Sequence, residues 1–289
     1  MTVYHYCSTE TMFKVVDSKQ LWLTDTDQMN DYMEGKWIDK AVTHWLTDRN
    51  HTCFGSAHLN SIENLRERSK VLMLCMSKEP DVLSQWRSYA NDGQGFSIGL
   101  SEDFLERRRE EIGKQVSLEE VIYNLDEQKK EISSFLGEAM DEFDAELKEN
   151  PPHMGISLMP PTMQIRHARE QDRGKVISEH LGQIMYKFKN PKFEEEQEIR
   201  IVVKFMKSGI GVRAFEYHDG EGDVYQGKVK YYPTTDHLRP YIPFRLLPDD
   251  LEEIWIGPKN KTDEKELDYF LTQQGFGKVD IKRSDASYR

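Results

Sequence analysis

Apolar and polar positions alternate from the start of the chain. Val3-Tyr4-His5-Tyr6-Cys7 is rich in strand formers and is stopped by Ser8-Thr9-Glu10-Thr11. Ser8 or Thr9 can cap a short helix that turns Met12, Phe13, Val15 and Val16 inward. Glu10 then lies in the first turn, where the helix dipole favours an anion. Leu21-Trp22-Leu23-Thr24 reads as a second strand, and Lys36 to Leu46 as a helix. The stretch onward to Ser69 reads as mixed helix and loop. Val71 to Met76 is a continuous apolar run of buried-strand length, and Ser84 to Ala90 reads as a helix. Asp92-Gly93-Gln94-Gly95 is turn chemistry leading into the strand Phe96-Ser97-Ile98-Gly99-Leu100.

The middle of the chain changes period. Ile132, Phe135, Leu136, Met140, Phe143 and Leu147 recur at helical spacing until Asn150-Pro151-Pro152 breaks the pattern. Val176, Ile177, Leu181, Ile184 and Met185 mark another amphipathic helix. Strand patterns return at Glu198 to Val203, Lys228 to Tyr232 and Glu253 to Ile256. A helix over Glu264 to Gln274 and a strand over Val279 to Lys282 follow. This order predicts a single α+β domain over residues 1–289, with a mixed or antiparallel sheet and a helical insertion at about 101–190.

Composition narrows the function classes. The 289 residues are 37% hydrophobic and 11% aromatic, enough bulky apolar groups to exclude wholesale disorder. The net charge of -12 argues against broad affinity for nucleic acid. No apolar run approaches the ~18 residues of a membrane span, so no membrane partner is expected. Met1 to Cys7 lacks the basic and apolar pattern of a secretory signal, and three scattered cysteines, Cys7, Cys53 and Cys75, read as reduced thiols. A cytoplasmic protein is expected.

Four clusters carry candidate chemistry beside a plain structural reading. Tyr4 and Tyr6 share one face of the first strand with His5 on the other, as core or as ligand platform. In Met29-Asn30-Asp31-Tyr32-Met33-Glu34, Asp31 and Glu34 fit a helix start or a polar pocket wall. Trp86 and Tyr89, three apart, make either a core helix face or an aromatic wall, with Arg87 free to meet an anion. Glu196, Glu198 and Arg200 project from one face of an apolar strand, as an ion pair with or without a chemical role.

Two other signals are weaker. The glycines at 93 and 95 precede a strand instead of joining a strand to a helix, so they read as a turn and not a phosphate loop. His51, Cys53 and His58 lack paired ligand spacing, so no metal site is expected there.

Taken together, Y-x-Y-x-S, LWLT, MNDYME, SQWRSYANDGQGFSIGL, EEQEIRIVV and IWIGP resemble a bacterial family catalogued as domain of unknown function 2971. The resemblance runs from about Tyr4 to the C-terminus. The opening strand, helix and strand also resemble the start of ADP-ribosyltransferases. In that superfamily a polar or aromatic first-strand residue precedes a Ser or Thr by two positions. Tyr6 and Ser8 stand in that relation, with His5 as the alternative, so the usual first-strand histidine is displaced or replaced. A catalytic Glu commonly begins a late apolar strand, as Glu198 does. This second resemblance implies cleavage of the nicotinamide–ribose bond of NAD, as a bacterial toxin or phage-defence effector acting on a protein or nucleic-acid acceptor. It implies Glu198, Tyr6 and Arg200 at the reacting centre. His5, Ser8, Asn30, Asp31, Glu34, Trp86, Arg87 and Tyr89 would hold the nucleotide, with Tyr6 or Tyr89 stacking on nicotinamide and Arg87 or Arg200 meeting the pyrophosphate. Two alternatives remain open. One is a metal-dependent hydrolase or nuclease gathering Asp31, Glu34, Glu196 and Glu198 around magnesium. The other is a non-enzymatic ligand-sensing or interaction protein.

Overall fold

A computed structural model describes residues 2–26, 33, 35–48, 55–101, 103–104, 107, 116–134, 136, 181–182, 184–208, 216–218 and 229–288. Asn30, Asp31, Glu34, Cys53 and most of the expected helical insertion lie outside the described residues.

The chain opens as β1 (Val3–Cys7), α1 (Thr9–Ser18) and β2 (Gln20–Asp25). Ser8 is the N-cap of α1, its Oγ accepting the Thr11 N–H at 3.1 Å. Lys19 ends the helix in a left-handed conformation, its N–H bonded back to the Val15 carbonyl. Met12, Val15 and Val16 are buried. Phe13 was expected inward but is 51% exposed, lying against the ring of Phe270 at 5.4 Å. Four helical positions within five residues exceed the arc that one helix face can bury.

There follow α2 (Trp37–Asp48), α3 (Gly55–Arg68), β3 (Ser69–Ser77), α4 (Leu83–Tyr89), β4 (Phe96–Leu100) and β5 (Val116–Glu120). A helix over residues 125–134 (α5) leads toward β6 (Glu198–Ser208) and β7 (Glu216–His218). The remainder is β8 (Lys230–Pro233), β9 (Leu238–Arg245), β10 (Leu251–Ile256), α6 (Glu264–Gln273) and β11 (Asp280–Arg283). β5 pairs with β6 throughout, so part of the expected helical insertion is a strand of the sheet. β9 was not anticipated either, because Pro240 and Pro243 interrupt its pattern.

Eleven strands among the described residues form one mixed sheet, in the order β11-β10-β4-β1-β3-β2-β9-β8, with β6 also on β3 and carrying β5 and β7. The pairing of β10 with β11 is parallel, and the other pairings between these strands are antiparallel. The fold is therefore α+β.

β3 is the hinge of the arrangement. One edge pairs with β6 over all nine residues, from Ser69–Met206 to Ser77–Glu198. The other edge meets β1 only at Ser77 and β2 only at Leu72 and Met73. β1 and β2 thus part over Leu74, Cys75 and Met76, and the sheet is split there. On one side a core of Leu21, Leu72, Phe96, Ile98, Ile201 and Ile254 packs under α1 and α6. On the other, Trp37, Ile38, Trp45, Met73, Phe188 and Val202 form a second core under α2. Hydrophobic burial on both faces fixes the register of β3 and β6, since a one-residue slip would exchange the two sets.

Gly95 shows how tightly the turn before β4 is built. A Cβ there would stand 2.1 Å from the Cys7 carbonyl oxygen and 2.9 Å from that of Ala90. No side chain fits. Among the described residues no helix is long and apolar enough to cross a membrane.

Candidate functional site: a cleft through the split sheet

A cavity of about 650 Å³ opens where β1 and β2 separate. Its size falls in the range of small-molecule sites. On the α1 side it is bordered by His5, Thr11, Lys14, Val15 and Leu74. On the other side stand Gln85 and Tyr89 of α4, Lys189, Glu196 and Glu198, and the β2 and β8 residues Trp22, Thr24 and Tyr232.

The polar floor is a buried charge cluster. Glu198, at the first position of β6, accepts from Arg200 Nε and an Arg200 terminal nitrogen at 2.8 and 2.9 Å. It also accepts from Lys189 Nζ at 2.9 Å. Lys189 Nζ donates again to Glu196 at 2.5 Å, and the Tyr89 hydroxyl donates to the other Glu196 oxygen at 3.3 Å. Burial opposes ionisation of Glu198, but the Arg200 and Lys189 charges outweigh it and hold the carboxyl down at about 2. Burial pushes the Glu196 carboxyl up, against the pull of Lys189. Burial also disfavours the Lys189 ammonium, yet the two carboxylates together raise its pKa.

The backbone explains how two acids meet one lysine. A 3₁₀ turn over Pro191–Glu196 is capped by Asn190, and Gln197 then takes a left-handed conformation with φ of 42°. That reversal brings Glu196 beside Glu198, and the Tyr123 hydroxyl accepts the Glu198 N–H at 3.0 Å.

His5 completes the opposite wall. Its Nδ1 lies 3.1 Å from the Cys75 carbonyl oxygen. A carbonyl can only accept, so Nδ1 carries the proton and the neutral ring keeps Nε2 as an acceptor. Burial lowers the pKa of this imidazole.

The structure sorts the expected site residues. His5, Tyr6, Tyr89 and Glu198 border the cleft together. Tyr6 is fixed there: its hydroxyl donates to the Glu79 carbonyl and accepts the Val82 N–H, both at 2.9 Å. Its ring meets the edge of Trp86 at 4.9 Å. Trp86 itself is fully buried behind Tyr6, with its indole N–H on Asp81 at 2.6 Å, so it offers no wall to a ligand. Arg87 points away, exposed, toward the ring of Tyr288 at 5.8 Å. Arg200 is fully buried and spends its third donor on the Tyr186 carbonyl at 2.7 Å, so it orients Glu198 and does not reach a pyrophosphate in the cleft. Ser8 caps α1 and does not border the cavity.

Lys189 was not anticipated. Its alternation with Lys187 around Phe188 resembles an exposed strand edge, and nothing local marks one lysine for burial. Among the described residues no group of three His, Cys, Asp or Glu side chains is arranged to hold a metal ion. Glu196 and Glu198, which the hydrolase alternative requires, already bond to Lys189 and Arg200.

No curated protein and no solved structure matches the chain. Residues 85–201, running from the cleft-lining Gln85 to the strand that begins at Glu198, match the family described as protein of unknown function, DUF2971.

Proposed function

We propose that the cleft binds NAD and cleaves its nicotinamide–ribose bond, passing ADP-ribose to an acceptor. The observation that carries this reading is the Glu198 carboxylate, bonded to Lys189 and Arg200 at the edge of a cavity in the split sheet. Breaking the glycosidic bond sends its electron pair to the pyridine nitrogen and leaves positive charge on the ribose. A carboxylate fixed in a poorly hydrated site stabilises that charge without reorganising, and loss of such a group costs about 10²–10³ in rate. Arg200 acts as a positioning residue. Tyr89, bonded to Glu196 and partly exposed to the cleft, is the aromatic that a nicotinamide ring would meet. In a bacterial cell this activity would suit a toxin or a defence effector.

The test is incubation of the purified chain with NAD and a cell lysate. Nicotinamide release or ADP-ribose attachment is expected, falling at least a hundredfold in Glu198→Gln. Absence of both products with the unaltered chain overturns the reading.

One observation favours a second reading, a ligand sensor without turnover. The two acids of the floor face two cations, Lys189 and Arg200, so the cluster is charge-balanced before any ligand arrives. A sensor binds NAD and returns it intact, which the same incubation distinguishes.

A further inference from the structure

Away from Glu198 the cleft is bordered by side chains that bond cleavage leaves without a role. On the outer face of the β2–β9–β8 wing, Trp22 stacks on Tyr241 with centroids 4.1 Å apart and planes 28° apart. Tyr232 leans on both, at 5.3 Å from Trp22 and 5.7 Å from Tyr241. Trp22 and Tyr232 border the cavity, whereas Tyr241 does not. Tyr241 therefore backs one face of the indole, and the cluster presents its other two rings to the cleft. Cross-strand aromatic clusters do stabilise sheets. This wing, however, already has its core on the opposite face, in Leu21, Leu23, Ile242 and Phe244.

Two cations border the same cavity, one beside the rings and one across the split from them. Arg239 is directly opposite Tyr232 in the β8–β9 register and borders the cavity. Lys14 borders it from α1 and pairs with Glu10 at 2.6 Å, both side chains being more than half exposed. Exposed pairs of this kind are weak in water, so an anion of higher charge can take the place of Glu10. A flat aromatic surface with a planar guanidinium next to it, and an ammonium at another wall of the same cavity, is the chemistry that recognises a heteroaromatic ring carrying phosphate.

We propose that Trp22 and Tyr232 form a stacking subsite for the base of a nucleotide, with Lys14 and Arg239 meeting its phosphates. The subsite deepens the NAD reading, on which it rests for the identity of the ligand, by assigning the end of the cleft that takes the base. Binding there requires no bond cleavage, so it is read separately.

The experiment is titration calorimetry of the full chain with ADP and with ribose 5-phosphate. ADP binding is expected, with ribose 5-phosphate at least tenfold weaker because it lacks the ring. Trp22→Ala is expected to weaken ADP about tenfold or more, and Lys14→Gln to weaken it several-fold with a shallower salt dependence. Failure of ADP to bind, or equal binding of ribose 5-phosphate, overturns the proposal on the unaltered chain whether or not Trp22→Ala folds. Unchanged ADP affinity in a folded Trp22→Ala also overturns it. A chain that binds ADP through Trp22 yet releases no nicotinamide sinks the cleavage reading alone. A chain that releases nicotinamide but binds ADP equally well as Trp22→Ala sinks the subsite alone.

Discussion

His5 donates its Nδ1 proton to the Cys75 carbonyl oxygen at 3.1 Å, across the gap where β1 and β2 part along β3. A side chain thus supplies a bond that neither neighbouring strand supplies at Cys75, and the split stays open without leaving that carbonyl unsatisfied. Because burial lowers the pKa of this imidazole below its ordinary 6.5, the fold holds it neutral while the unfolded chain takes up a proton near that value. The stability it contributes is therefore full above pH 6.5 and is lost as pH falls toward the folded pKa. Denaturant midpoints at pH 7.5 and pH 5 should show a smaller acid loss in His5→Gln than in the unaltered chain. Parallel losses would show that the ring is not held neutral.

Gly95 should not tolerate a methyl group. The Cβ position is already filled by the carbonyl oxygens of Cys7 and Ala90, both backbone atoms that cannot swing aside as a side-chain end would. Relief requires moving β1 away from the turn, so Gly95→Ala should cost about 3 kcal/mol or more, within the range of overpacked sites. Thermal unfolding measures it. A loss under about 1 kcal/mol would mean that the turn is looser than its contacts.

Asp81 ties the cleft wall to the end of the chain. It accepts from the Trp86 indole at 2.6 Å, from the Ser284 hydroxyl at 2.5 Å and from the Asp285 N–H at 3.0 Å. Tyr288 then donates to Asp92 at 2.6 Å, with Lys259 Nζ 3.9 Å from its ring centroid. Asp81→Ala leaves a buried indole N–H without its acceptor and should cost about 2–3 kcal/mol. Faster amide exchange in both α4 and residues 284–288 is the expected signature. Exchange confined to the tail would show that α4 does not depend on this link.

Much of this frame was legible in the sequence, for reasons that stay local. Ser8 followed by Met12, Val15 and Val16 encodes the cap and buried face of α1, and Glu253 to Ile256 before Gly257 encodes β10 except for its first two residues. What sequence hid depended on distant partners. β9 was masked by Pro240 and Pro243, yet Ile242 and Phe244 between and beside them still alternate into the core. Trp86 and Tyr89 share a spacing but not a fate: one is fully buried behind Tyr6 and the other 36% exposed to the cleft, because a seven-residue helix turns each toward a different neighbour. Of the candidate site, Glu198 and Arg200 were visible as a strand-face pair. Lys189 was not, since its partners come within reach only through the left-handed Gln197.

That lysine gives the sharpest test of the site's electrostatics. With Lys189 in place, Glu198 stays ionised with a pKa of about 2, below its ordinary 4.5, so its contribution to stability is full above pH 4.5 and is lost as pH falls toward 2. Glu196 shifts the opposite way, because burial raises its pKa and one ammonium is shared between two acids. Lys189→Met removes the shared cation and leaves two buried carboxylates facing one another, which should cost about 3–5 kcal/mol at pH 7. A proton is the only replacement available, and Glu196 is the acid already inclined to take it. The penalty should therefore shrink between pH 7 and pH 5. Adding Glu196→Gln should recover much of the loss at pH 7, since the remaining carboxylate keeps its two bonds to Arg200. Urea denaturation of the three chains at both pH values decides the matter. An equal penalty at pH 7 and pH 5, with no recovery in the double variant, would mean that Glu196 and Glu198 do not feel each other through Lys189.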